Sequence, residues 1–337
     1  MKNTSIISGT EKVIANSIVV IILLIFYFNV DPIKYDDIAV YQSTMDNFQN
    51  KSENLSLGLI NNIYEPASNV IFYFFSLIGI SALQLHILVL VTIYNLCIHY
   101  QFKNYITLYI FTATIVTPFL FGGLLLGQTR QLFGLVLILL FYKNIPPFSF
   151  FSKSNINYLS LSRVIFFALS LYLTHLVSFF IFFTVLIFDL VNFIQNRNNN
   201  IDLKFHHILF LISAFIFFYC AIPSTLALSK FNFYFHNKNL PHINYLTSSM
   251  SILVMLPMLF DCLLSRIFLK KIFITFLLII TLIFLGKITN LGFIIDRALP
   301  SLVFLLYVDR LRIGHFVAEK IFVYLRILAL CAYLILM

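Results

Sequence analysis

The sequence predicts an all-α, polytopic integral membrane protein, and three observations carry that prediction. Hydrophobic residues make up 61% of the 337 residues and charged residues 10%, where a soluble domain carries about 25% charged residues. The mean hydropathy is +0.96. Apolar runs recur from residue 13 to the C-terminus, many of them near the roughly 20 residues that a helix needs to cross a bilayer.

Taken in order, these runs place spans at 13–30, 82–100, 104–121, 130–143, 160–174, 176–194, 207–228, 246–265, 272–289, 291–308 and 319–336. That is about 11 transmembrane helices in a single membrane domain covering 1–337. The leading "MKNTSIISGTEK" is polar, and no small-residue cleavage site follows the next run, so 13–30 reads as a retained first span. The stretch "ASNVIFYFFSLIG" (67–79) is too short to span and reads as a re-entrant or interfacial helix. The runs 130–143 and 160–174 are short, which suits tilted helices or helices entered from a cavity. Cys97, Cys220, Cys262 and Cys331 lie within or at the ends of apolar segments without CxxC spacing, which points to packing. The net charge of +9 forms no basic stripe, so no nucleic-acid partner is expected.

Orientation follows from the asymmetry of Lys and Arg between loops. With the N-terminus cytoplasmic, 14 of the 22 Lys and Arg residues lie inside and 7 outside, and every inner loop holds at least one. The acidic segment 31–66, with Asp31, Asp36, Asp37, Asp46, Glu53 and Glu65, is then extracytoplasmic.

Four features share that outer side. Asp36-Asp37 with Tyr41 puts Asp37 and Tyr41 on one face of a helical turn; a solvated acidic helix start explains the same residues. In "YEPASNVIFYF", Pro66 suits a first helical position and Glu65 suits the helix dipole, with or without a substrate. In "FGGLLLGQTRQLFG", Arg130 and Gln131 open an apolar helix. A cation there opposes the dipole, and a charge at membrane depth costs about 2.5–3.5 kcal/mol. Arg130 therefore needs a carboxylate or phosphate partner, or must snorkel to the interface. In "ITNLGFIIDRALPS", Asp296-Arg297 reads either as a local ion pair or as a second guanidinium facing the site. His175, between two short apolar runs, is either structural or a base at the outer surface. Two arginines suit a diphosphate gripped in fork geometry, and nearby carboxylates suit deprotonation of a sugar hydroxyl. No Walker loop or GxGxxG is present, and no metal or cofactor is implied.

These residues resemble the landmarks of the Wzy and EpsG type of bacterial polysaccharide polymerases. The matches are the D-x-x-x-Y of Asp37 and Tyr41, the Glu65-Pro66 pair, Arg130-Gln131, His175 with Ser178, and the late Arg297. Two positions depart from the family's habit. Gly127, with Gln128 beside it, stands where an asparagine is common, and Arg297 lacks a closely following aromatic. The resemblance implies an inner-membrane enzyme with an extracytoplasmic cavity. It would transfer a growing glycan from undecaprenyl pyrophosphate to a hydroxyl of a new lipid-linked oligosaccharide repeat unit. Asp37, Glu65, His175 and Arg130 would be catalytic, and Tyr41, Gln131, Arg297 and Asp36 would bind substrate. Membrane lipid, a chain-length regulator and a flippase are the implied partners.

Three rivals share some of these features. An O-antigen ligase usually has a larger late outer loop than 230–245. A flippase needs charge exposed to both sides. An acyltransferase would want a cytoplasmic histidine, and His206-His207 in "LKFHHILF" reads as a solvated helix start.

Overall fold

The computed structural model describes residues 36–50, 66–98, 128–143, 158–195 and 292–313, with short helical pieces inside 9–21 and 277–284. The described elements are helical throughout. They are α1 (Asp36–Gln49), α2 (Pro66–Leu77), α3 (Ala82–Leu96), α4 (Thr129–Phe141), α5 (Tyr158–Thr174), α6 (Leu176–Gln195) and α7 (Gly292–Ile313). The expected spans at 104–121, 207–228, 246–265 and 319–336 lie outside the described residues.

The acidic segment is not simply a loop. It contains the 14-residue α1, because Ile38, Tyr41, Met45 and Phe48 repeat at helical spacing and all four are buried. Helix α2 begins at Pro66, whose missing N–H costs nothing in a first turn. It ends at Gly79, which has φ +74°; Ile80 N donates to Phe75 O and Gly79 N to Ser76 O, a glycine C-cap. Ser81 and Gln84 then form a capping box that starts α3. The chain turns by 114° between α2 and α3. Helix α1 clamps this corner, since Gln49 Nε2 donates to Ser76 O and Gln42 Oε1 accepts from Ala82 N, each at 2.8 Å.

Helices α4, α6 and α7 run in one direction. Gln131, Ser178 and Ser301 meet at one end, and at the other the carboxylates of Asp189 and Asp309 act electrostatically on Tyr142. Helix α5 runs against α4, because Gly134 faces Leu171 while Phe141 packs on Phe167 further along. The core is large and aromatic, with Phe72, Tyr94, Tyr142, Phe182 and Tyr307 among its most buried side chains. Cys97 is buried within it, as packing required.

Length separates the structure from the expected spans. Among the described residues, no single helix is long and apolar enough to cross a membrane; α2 and α3 reach the needed length only as a bent pair. Helix α4, with 13 residues, is about 20 Å long against a hydrocarbon core of about 30 Å.

Candidate functional site

Many of the buried polar groups gather at the N-terminal end of α4. Arg130 is its second residue and lies with Cζ 4.9 Å from the centroid of the Tyr41 ring. Its Nε also donates to the Tyr41 hydroxyl at 3.2 Å. A cation–π contact of this kind contributes about 0.5–2 kcal/mol, more as water is removed. Tyr41 is itself fixed by stacking on Phe72, with centroids 5.1 Å apart, and Phe72 packs on Phe133 of α4. The sequence called for a carboxylate, a phosphate or the interface as the answer to Arg130. The structure supplies an aromatic face from α1.

Gln131 is 1% exposed. Its Nε2 donates to Arg297 O and to Ser301 Oγ, both at 2.7 Å, which ties α4 to α7. The acceptor at 297 is the backbone carbonyl, so residue 297 reaches this end of the core through its main chain. Ser178 Oγ lies 3.4 Å from Gln131 O. A Cβ on Gly134, one turn further along, would overlap both Cβ and Oγ of Ser178. The helices α4 and α6 meet here because residue 134 has no side chain.

His175 interrupts the α5–α6 run and is 5% exposed. The break between the two helices is therefore packed inside. Its carbonyl accepts from Ser178 N and Phe179 N, which starts α6. The preceding carbonyl, Thr174 O, accepts from the buried Ser68 Oγ of α2 at 2.6 Å. On the other flank of α4, His86 Nδ1 of α3 is 2.9 Å from Thr129 Oγ1, both side chains buried.

Of the residues singled out in the sequence, Tyr41, Arg130, Gln131, residue 297 and the His175–Ser178 turn thus meet around one helix end. The acidic half stands differently. Asp37 is part-buried on α1 and makes no hydrogen bond or ion pair among the described residues. Asp36 opens α1, but its side chain lies outside what is described, as does Glu65. No group of three His, Cys, Asp or Glu side chains suited to a metal is present among the described residues.

Sequence reasoning missed His86, Thr129, Ser68 and Ser301. Each had a faint signal. His86 interrupts the apolar "LQLHILVL", Thr129 adjoins the Arg130-Gln131 pair, and Ser301 follows Arg297 by one helical turn. Comparison with family models, with curated proteins and with solved structures finds no match.

Proposed function

We propose that this chain is a polytopic membrane glycosyltransferase that polymerises lipid-linked oligosaccharide repeat units on the extracytoplasmic face of a bacterial inner membrane. The observation that carries the reading is the contact of Arg130 with Tyr41, together with the bonds of Gln131 to Arg297 O and Ser301. Residues from three distant stretches that the polymerase resemblance selects come together at one end of the core. The membrane placement is supported by composition and by the outer surface of α5, where Phe166, Leu169 and Leu173 are exposed in a helical stripe while Val164, Ala168 and Leu171 are buried. An exposed apolar stripe beside a buried polar cluster suits a lipid surroundings better than water.

In this reading the acceptor sugar hydroxyl loses its proton to Asp37 or Glu65, with His175 as the other candidate base. Its oxygen then bonds to the anomeric carbon of the donor glycan, the carbon–oxygen bond to pyrophosphate breaks, and undecaprenyl pyrophosphate leaves. Arg130 and Arg297 stabilise the negative charge of the two pyrophosphates, the leaving one above all. Tyr41 holds the Arg130 guanidinium in place before substrate arrives. A positioned cation costs little reorganisation when the charge develops.

The test is deletion of the gene, complementation with wild type or Arg130→Ala, and a gel of surface polysaccharide with membrane abundance measured in parallel. Loss of a charge-stabilising contact costs about 10²–10³ in rate, so the variant is expected to leave capped single repeat units. Wild-type chain length from Arg130→Ala at normal abundance removes Arg130 from the mechanism.

One observation favours a second reading, a flippase for lipid-linked sugars. Asp189 and Asp309 are 1% and 6% exposed at the far end of α4, acting on Tyr142, so ionisable groups occupy both ends of the core. The same gel separates the two readings, because a flippase deletion leaves no exported glycan at all.

A further inference from the structure

We infer that the side-chain amide oxygens of Gln128 and Gln131 form a subsite that reads the sugar of the lipid-linked substrate, separately from its pyrophosphate. This rests on the glycosyltransferase reading above and adds to it the part of the substrate that each side of the site recognises.

The starting point is two buried acceptors without donors. Gln131 Oε1 and Gln128 Oε1 are both shut off from solvent and have no hydrogen-bond partner among the described residues. Rotating the Gln131 amide does not remove the problem. Its nitrogen donates to the Arg297 carbonyl, and a turned amide would set two carbonyl-type oxygens against each other. Gln128 is the N-cap of α4, yet its side chain makes no capping bond. Native proteins leave few buried polar atoms unsatisfied, and those they do leave call for a ligand or an internal water. Positions 128 and 131 are one helical turn apart, so both amides belong to the same end of α4.

The chemistry of the surroundings narrows the ligand. Two amide oxygens attract donors and repel the anionic oxygens of a phosphate. A metal cation or an ammonium group would also satisfy them, but Arg130 sits between them in the chain and its fixed positive charge opposes a second cation. Neutral donors remain, which are sugar hydroxyls or the N–H of an N-acetyl group. Such groups also carry lone pairs that a guanidinium tolerates. The floor of the site thus divides its work: Arg130 meets charge and the two amides meet neutral hydroxyl donors.

The experiment uses the full chain in lipid nanodiscs and two probes. One is undecaprenyl pyrophosphate. The other is the pool of lipid-linked repeat units extracted from cells that lack the gene. Gln128→Met is the main variant, because it removes an amide with no described bond of its own and leaves α4 intact. Gln131→Met is measured beside it, with thermal unfolding to register the lost bonds to Arg297 O and Ser301. The expected result is a loss of about 3- to 10-fold in affinity for the repeat units from Gln128→Met, the size of one neutral hydrogen bond. Binding of bare undecaprenyl pyrophosphate is expected to stay unchanged. Unaltered affinity for both probes means that an internal water or a neighbouring group fills these acceptors, and overturns the inference. Equal weakening of both probes overturns it as well, since the amides would then not tell sugar from pyrophosphate. Wild type that binds neither probe brings down the glycosyltransferase reading, and this inference with it.

Discussion

Replacing Gly134 by alanine sets two opposing effects against each other. In the middle of a helix, alanine is favoured over glycine by about 1 kcal/mol through backbone entropy. Against this, the new Cβ would overlap Cβ and Oγ of Ser178. The overlap includes an atom bonded to the backbone of α6, so rotation of the serine alone cannot relieve it, and the two helices must separate. Overpacking a tight core costs about 1–3 kcal/mol, and this geometry belongs at the upper end. We expect Gly134→Ala to destabilise the protein by about 1–2 kcal/mol net. The double variant Gly134→Ala/Ser178→Gly removes the obstacle and should recover most of that loss. The chain has no tryptophan, so unfolding is best followed by a thiol-reactive fluorophore at the buried Cys97, with the other three cysteines changed to serine. A Gly134→Ala protein as stable as its parent would refute the close approach of α4 and α6, and failure of the double variant to recover would refute Ser178 as its cause.

Two further outcomes follow from the same contacts. Tyr41→Phe keeps the ring beneath Arg130 and removes one hydrogen bond to a charged donor, which is worth about 1.5–3 kcal/mol at most; shortened glycan chains with normal membrane abundance are expected on the gel, and Tyr41→Ala should shorten them further. Thr129→Val preserves shape but takes away the hydroxyl 2.9 Å from His86 Nδ1. The lost buried partner should cost about 1–3 kcal/mol, read as a lower unfolding midpoint, and Thr129→Ser should retain most of the wild-type value.

Much of the local structure was legible because its causes are local. Pro66 marked the start of α2, the polar break at His175 separated α5 from α6, and the apolar runs at 130–143, 160–174 and 176–194 located α4, α5 and α6 to within a few residues. The i and i+4 spacing of Asp37 and Tyr41 placed them on one helix, though α1 proved longer than a turn. Its buried stripe of Ile38, Tyr41, Met45 and Phe48 had been hidden by the acidic residues around it. The 114° corner after Gly79 was less legible, since a glycine in an apolar run signals a turn without its angle.

What the sequence by itself determined is the helical class and the clustering of polar residues near the starts of α4, α6 and α7. Periodicity, capping residues and helix breakers act over a few positions, and those positions can be read in order. The tertiary structure alone decided what meets what. Arg130 is 89 residues from Tyr41, His86 is 43 from Thr129, and Gln131 is 166 from the carbonyl at Arg297. No local rule links positions so far apart. Their pairing follows from how whole helix faces fit together, down to a glycine at 134 that lets two backbones touch, and burial then obliges each polar group to find its partner across that contact.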